Sequence, residues 1–106
     1  MYLVYKNKKI PLTECNTFLT RLIGFMGKKN INNSLMFKNC NSIHTFFMKE
    51  NIDVKLCSKD NTILYYYKNL PKNKVILPKK NVYIVYETPP CYFNIKINDK
   101  IYIEKE

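Results

Sequence analysis

The sequence predicts a mainly β (α+β) fold: a small, partly barrel-like or sandwich β domain with one N-terminal helix packed on it. Two observations lead there. From residue 34 onward, short runs of β-branched and aromatic residues recur, broken by Asn, Lys, Asp and Pro. Before that point, residues 18–26 place apolar side chains at helical spacing. The 106 residues, 46% of them hydrophobic and 14% aromatic, suit one domain (1–106) with a real core and exclude a disordered chain.

Taken in order, Tyr2-Leu3-Val4-Tyr5 and Lys9-Ile10-Pro11-Leu12 flank Asn7-Lys8 and predict an opening hairpin. Pro11 lacks an N–H, which predicts an edge position for its strand. The helix follows, with Thr13 or Asn16 as cap and Phe18, Leu19, Leu22, Ile23 and Met26 as its stripe. Gly24 and Gly27 end it near Phe25.

Strands are then expected at Ser34-Leu35-Met36-Phe37, Ile43-His44-Thr45-Phe46-Phe47-Met48 and Ile52-Asp53-Val54-Lys55-Leu56-Cys57. The turn residues Ser58-Lys59-Asp60-Asn61 lead into Ile63-Leu64-Tyr65-Tyr66-Tyr67. Lys74-Val75-Ile76-Leu77 and Val82-Tyr83-Ile84-Val85-Tyr86 come next. The last expected element is a hairpin around Asn98-Asp99, with Ile95, Ile97, Ile101 and Ile103 facing inward.

Composition narrows the function classes. No apolar run approaches the roughly 20 residues that span a bilayer, so no membrane role is expected. The first residues lack the basic-then-apolar order of a signal peptide, so the expected location is cytoplasmic. Cys15, Cys40, Cys57 and Cys91, spaced 25, 17 and 34 apart, contain no Cys-x-x-Cys and read as reduced core residues. The formal charge is +10, which suits a polyanion partner. It suits AT-rich codon usage better: Arg21 is the one arginine beside seventeen lysines, and Ala and Trp are absent.

A family resemblance lies in an ordered set of motifs. Thr20-Arg21-x-x-Gly24-Phe25-Met26-Gly27-Lys28 precedes Leu35-Met36-Phe37, then Cys40-Asn41-Ser42-Ile43-His44-Thr45-Phe46-Phe47-Met48, Ile52-Asp53-Val54 and Val85-Tyr86-Glu87-Thr88-Pro89. This order resembles the domain of unknown function 192 family over roughly residues 17–103. The resemblance implies a compact, mostly β, partly barrel-like domain and supplies no activity. Pro89-Pro90-Cys91 stands where that family carries a glycine, and Asn98-Asp99 where it carries Gly-Asp; Asn tolerates positive φ.

Four constellations could carry chemistry. Cys40, His44 and Met48 have the donors of a soft-metal site, but on a strand His44 and Met48 stand ~13 Å apart, so no metal or cofactor is expected. Cys40 and His44 could form a nucleophile pair, and His44, the only histidine, is the group suited to proton transfer at neutral pH. Asp53 and Glu87 stand in apolar strands, either as an acid/base pair or as partners of Arg21 in a clamp between helix and sheet. Residues 61–86 have no acidic side chain but carry Lys68, Lys72, Lys74, Lys79 and Lys80 near Tyr65, Tyr66 and Tyr67, a pattern that holds anions or single-stranded nucleic acid.

The expected function is a non-catalytic binding or accessory module for an anionic ligand, a nucleic acid or a protein partner. The alternative is a small hydrolase or transferase using Asp53 and Glu87, or His44.

Overall fold

The computed structural model describes residues 1–17, Gly24, Gly27 and 31–106. Nine strands are described: β1 (Tyr2–Tyr5), β2 (Lys8–Glu14), β3 (Ser34–Lys38), β4 (Ile43–His44), β5 (Ile52–Cys57), β6 (Ile63–Leu70), β7 (Val75–Ile76), β8 (Ile84–Thr88) and β9 (Tyr102–Glu104). Every regular element among the described residues is a strand, so the described fold is all-β. That corrects the expected α+β class with a helix packed on the sheet. The 18–26 stretch expected to be helical lies outside the described residues apart from Gly24.

Seven strands form one curled sheet in the order β6-β5-β8-β3-β2-β1-β9, antiparallel except for the parallel β2–β3 pair. At one end its two edges meet. The Ile63 N–H donates to Asp99 O at 2.8 Å, the Asn98 N–H donates to Ile63 O at 2.8 Å, and Thr62 bridges Lys100. Side chains alternate across a strand, so each strand serves two cores. The concave face gathers Leu3, Ile10, Met36, Tyr86, Phe93 and Ile101 with their neighbours. The convex face of β3, β8 and β5 gathers Leu35, Phe37, Val54, Leu56 and Val85, covered by the two-stranded β4–β7 ribbon through Ile43 and Ile76.

Three local expectations change. Pro11 is not at an edge, because β2 lies between β1 and β3. The Leu12 N–H donates to Met1 O, so the neighbouring Pro11 nitrogen faces away from β1, and pairing with β3 starts only at Leu12. The strand expected across 43–48 stops at His44, where the chain turns with Phe47 at φ +63°. The closing hairpin is not a ladder: Asn98 makes the turn at φ +76°, but β9 then pairs with β1. Ile95 and Ile101 are buried as expected, Ile103 is partly buried, and Ile97 is exposed. Cys40, Cys57 and Cys91 are free thiols; Cys15 and Cys57 are buried as expected, while Cys91, expected in the core, is exposed.

Candidate functional site: a lysine-rimmed apolar face and a buried polar knot

The β5–β8 register decides the fate of the two carboxylates. Asp53 lies opposite Thr88, and Val54 lies opposite Glu87. Directly opposed residues share a face and successive residues alternate, so Asp53 points into the curled sheet and Glu87 out of it. They do not face each other, either as an acid/base pair or as joint partners of one guanidinium. Arg21, the expected third member of the clamp, lies outside the described residues.

Asp53 organises the inner face instead. It has no solvent exposure, and its Oδ1 accepts the Asn69 N–H at 2.7 Å. Its Oδ2 accepts the Tyr66 hydroxyl and the Cys91 N–H, each at 2.9 Å. Both backbone donors sit at irregularities. Between the Ile52–Leu70 and Val54–Tyr67 pairs, β6 carries one residue more than β5, and Asn69 takes φ +54° there. Cys91 takes φ +61° at the corner after β8. The carboxylate therefore satisfies two N–H groups that the ladder leaves free.

Lys55, two residues along the same face, is also fully buried; among the described residues no other lysine is. Its ammonium donates to the Thr88 hydroxyl, which in turn donates to Pro89 O at 3.3 Å. It lies 5.5 Å from the Tyr66 ring centre and 5.6 Å from that of Phe93. Burial pushes its pKa down to about 8, against the pull of the Asp53 charge. Burial and the Asp53 bond both push the Tyr66 hydroxyl up. Glu87, on the other face, is raised to about 8 by burial; its Oε1 lies 3.5 Å from where a Cβ on Gly24 would stand.

The remaining expected residues sit around the ribbon. His44 Nδ1 accepts the Phe46 N–H at 3.3 Å, and the two rings stack with centres 5.2 Å apart. Cys40 Sγ donates to Ser42 O at 3.2 Å. Each side chain is thus engaged by a near neighbour in sequence. Among the described residues no cluster of His, Cys, Asp or Glu could hold a metal ion.

Lys74 immediately precedes β7, and Lys79 and Lys80 follow it, while Lys68 and Lys72 lie at the β6 end of the same connection. All five are exposed except Lys79, which is half-buried with its ammonium 5.4 Å from the Tyr65 ring centre. Lys59 covers Tyr83 similarly at 4.5 Å. One face of each of these two exposed rings, Tyr65 and Tyr83, is therefore occupied by an ammonium. Tyr66 points into the sheet toward Asp53, and Tyr67 packs on the convex core, so the three tyrosines divide between two faces.

Sequence reasoning did not find the apolar face on the segment that Lys74, Lys79 and Lys80 flank. In the β4–β7 ribbon, Ile43 pairs with Ile76 against the core, and His44 pairs with Val75 on the solvent side. Phe46, Phe47, Val75 and Leu77 are 40%, 75%, 54% and 69% exposed. A shallow groove of about 320 Å³ runs between Ser42, His44, Phe46, Val75, Leu77 and Pro78. Half-exposed apolar residues within a strand-like sequence give no warning of this, because the pattern does not say which face another layer covers. The period-2 spacing of Asp53 and Lys55, by contrast, does carry the inner polar face.

No family model matches the chain, and no curated protein matches it. Two solved structures share its fold. One is a protein of unknown function from Novosphingobium aromaticivorans DSM 12444, 11% identical, covering 96% of this chain and 82% of that one with a TM-score of 0.76. The other, from Sinorhizobium meliloti 1021, is described as a "putative transcription regulator"; it is 12% identical, covers 95% and 89% of the two chains, and has a TM-score of 0.80. At such identities the likeness is one of fold.

Proposed function

We propose that this chain is a binding module whose β4–β7 face docks an acidic, partly apolar segment of a partner protein. The observation that carries this reading is the exposed apolar face of Phe46, Phe47, Val75 and Leu77, set in a stretch, 61–86, with lysines and no acidic side chain. Contiguous exposed apolar surface of this kind marks interaction sites. Phe47 adds weight: a bulky residue at φ +63° is strained by about 1–3 kcal/mol, and such strain collects at ligand contacts. A partner with apolar anchors and a carboxylate rim would match both the groove and the lysines around it.

The state of the nearby rings favours a protein partner over a nucleic acid. Tyr65 and Tyr83 each carry an ammonium on a face that a base would need, and Phe46 is stacked on His44. The ordered motifs from Arg21 to Pro89 support, as a further part of this proposal, membership of the domain of unknown function 192 family. Catalysis by Asp53 with Glu87 has little support, since the two lie on opposite faces.

The test is a titration of the isotopically labelled protein with a synthetic peptide alternating leucine and glutamate. Binding should shift the amides of 42–48 and 72–80, weaken with salt, and fall at least about tenfold for Phe47→Ser or Leu77→Ser. Single-stranded DNA bound more tightly than the peptide, and equally well by the Ser variants, would overturn the reading in favour of nucleic acid.

A further inference from the structure

At the mouth of the curled sheet, away from the β4–β7 face, the β1–β2 turn and the segment before the last turn enclose a second concavity. It measures about 480 Å³ and is lined by Tyr5, Lys6, Asn7, Lys8, Phe93 and Asn94. That volume falls in the range of pockets that hold small molecules. Its floor is aromatic and fixed: Tyr5 and Phe93 are buried and meet edge to face with ring centres 6.1 Å apart. Lys6 takes φ +54° in the two-residue turn, and its ammonium sits 5.4 Å from the Tyr5 ring centre. Lys8 lies 4.1 Å from the Tyr92 ring centre and donates to Tyr92 O at 2.6 Å.

The lining of this concavity holds two ammonium groups and no carboxylate. The Asp99 carboxylate lies behind it, bonded by the Tyr5 hydroxyl at 2.5 Å and the Lys96 N–H at 3.1 Å, and offsets part of the Lys6 charge while leaving Lys8 to the pocket. An apolar floor of two rings set edge to face asks for an aromatic body that can meet one face and one edge; ammonium groups and the two asparagine amides at the rim ask for an anionic substituent.

From this geometry we infer that the mouth pocket is a binding site for a small planar ring bearing a carboxylate or phosphate group. It is a site separate from the docking face and does not depend on it. Lys6 and Lys8 hold the anionic group, and Tyr5 and Phe93 receive the ring.

Amide-shift titrations with benzoate and with adenosine 5′-monophosphate test this, with adenosine and inorganic phosphate as the half-ligands. At least one full probe should saturate below about 10 mM, shifting Lys6, Lys8, Phe93 and Asn94, while each half-ligand binds at least about tenfold more weakly. Benzoate alone would assign the site to aromatic carboxylates, and the nucleotide alone to phosphates. Lys6→Gln with Lys8→Gln, both exposed, should weaken the probe at least about tenfold with the amide spectrum of the cores unchanged, and Phe47→Ser should leave it unchanged. No saturation by either probe, equal binding of inorganic phosphate, or unchanged affinity in the double variant would overturn the assignment.

Discussion

Asp53 and Lys55 point the same way from β5 into the curled sheet, the first holding three donors and the second resting its ammonium on Thr88 between two aromatic rings. Neither side chain meets solvent. The pair is asymmetric in its work: Asp53 satisfies backbone groups at two irregular corners, whereas Lys55 bonds a single hydroxyl.

That asymmetry predicts unequal losses. Asp53→Ala strands the buried Lys55 charge and frees the Asn69 and Cys91 N–H groups, so it should cost about 3–5 kcal/mol. Lys55→Met removes a buried charge and keeps the stem packed against Phe93 and Tyr66, so it should cost less than about 1 kcal/mol. Urea unfolding of both variants checks this. A Lys55→Met loss as large as that of Asp53→Ala would contradict the assigned roles.

Glu87 and Lys55 set opposite pH slopes. The folded state holds the Glu87 proton to about pH 8 and the unfolded state only to about 4.5, so stability falls as pH rises through that window. The folded state releases the Lys55 proton near pH 8 and the unfolded state near 10.5, so stability recovers as pH climbs between them. These two groups together place a minimum near pH 8. Glu87→Gln should match the parent at pH 4.5 and exceed it at pH 8 by something on the order of 4 kcal/mol. A stability gap that does not change with pH would refute the burial of an ionisable Glu87.

Lys55→Met should remove the upper slope. Its stability relative to the parent should be greatest below pH 8 and shrink as pH approaches 10.5. Thermal melts of the two proteins at matched pH values read the difference directly. A constant difference would mean that Lys55 titrates normally in the fold.

Cys91 occupies a backbone conformation that suits glycine, at φ +61°. Cys91→Gly keeps the N–H that Asp53 accepts and relieves the Cβ crowding, so it should stabilise the fold by about 1 kcal/mol. Cys91→Pro, which removes that N–H and forbids the φ, should destabilise it by at least about 3 kcal/mol. Differential scanning calorimetry of the two variants gives the signs; stabilisation by both would remove the argument from φ.

Many of the strands were legible in the sequence, for a local reason. The period-2 run Ile52–Cys57 and the short apolar run in Ser34–Lys38 state their own conformation, and Asn98 states its turn through tolerance of positive φ. The seven-strand order was not legible, because β9 pairs with β1 across the whole chain and β2 with β3 in parallel. Nor was the failure of the 43–48 strand, where packing of Met48 and the Thr45 bonds to Lys74 outweigh the β-propensity of Thr45-Phe46-Phe47.

By itself, the sequence determined the β character of the chain, its excess of lysine, and the alternation that puts Asp53 and Lys55 on one face. Only the tertiary structure decided which residues meet. A register in which Asp53 opposes Thr88 rather than Glu87 sends two carboxylates to opposite sides of a sheet, and shifting it by a single residue would have joined them. Likewise, the ribbon that covers Ile43 and Ile76 leaves Val75 and Leu77 in solvent, because a layer one ribbon thick has an outer face and nothing in the described chain lies over it.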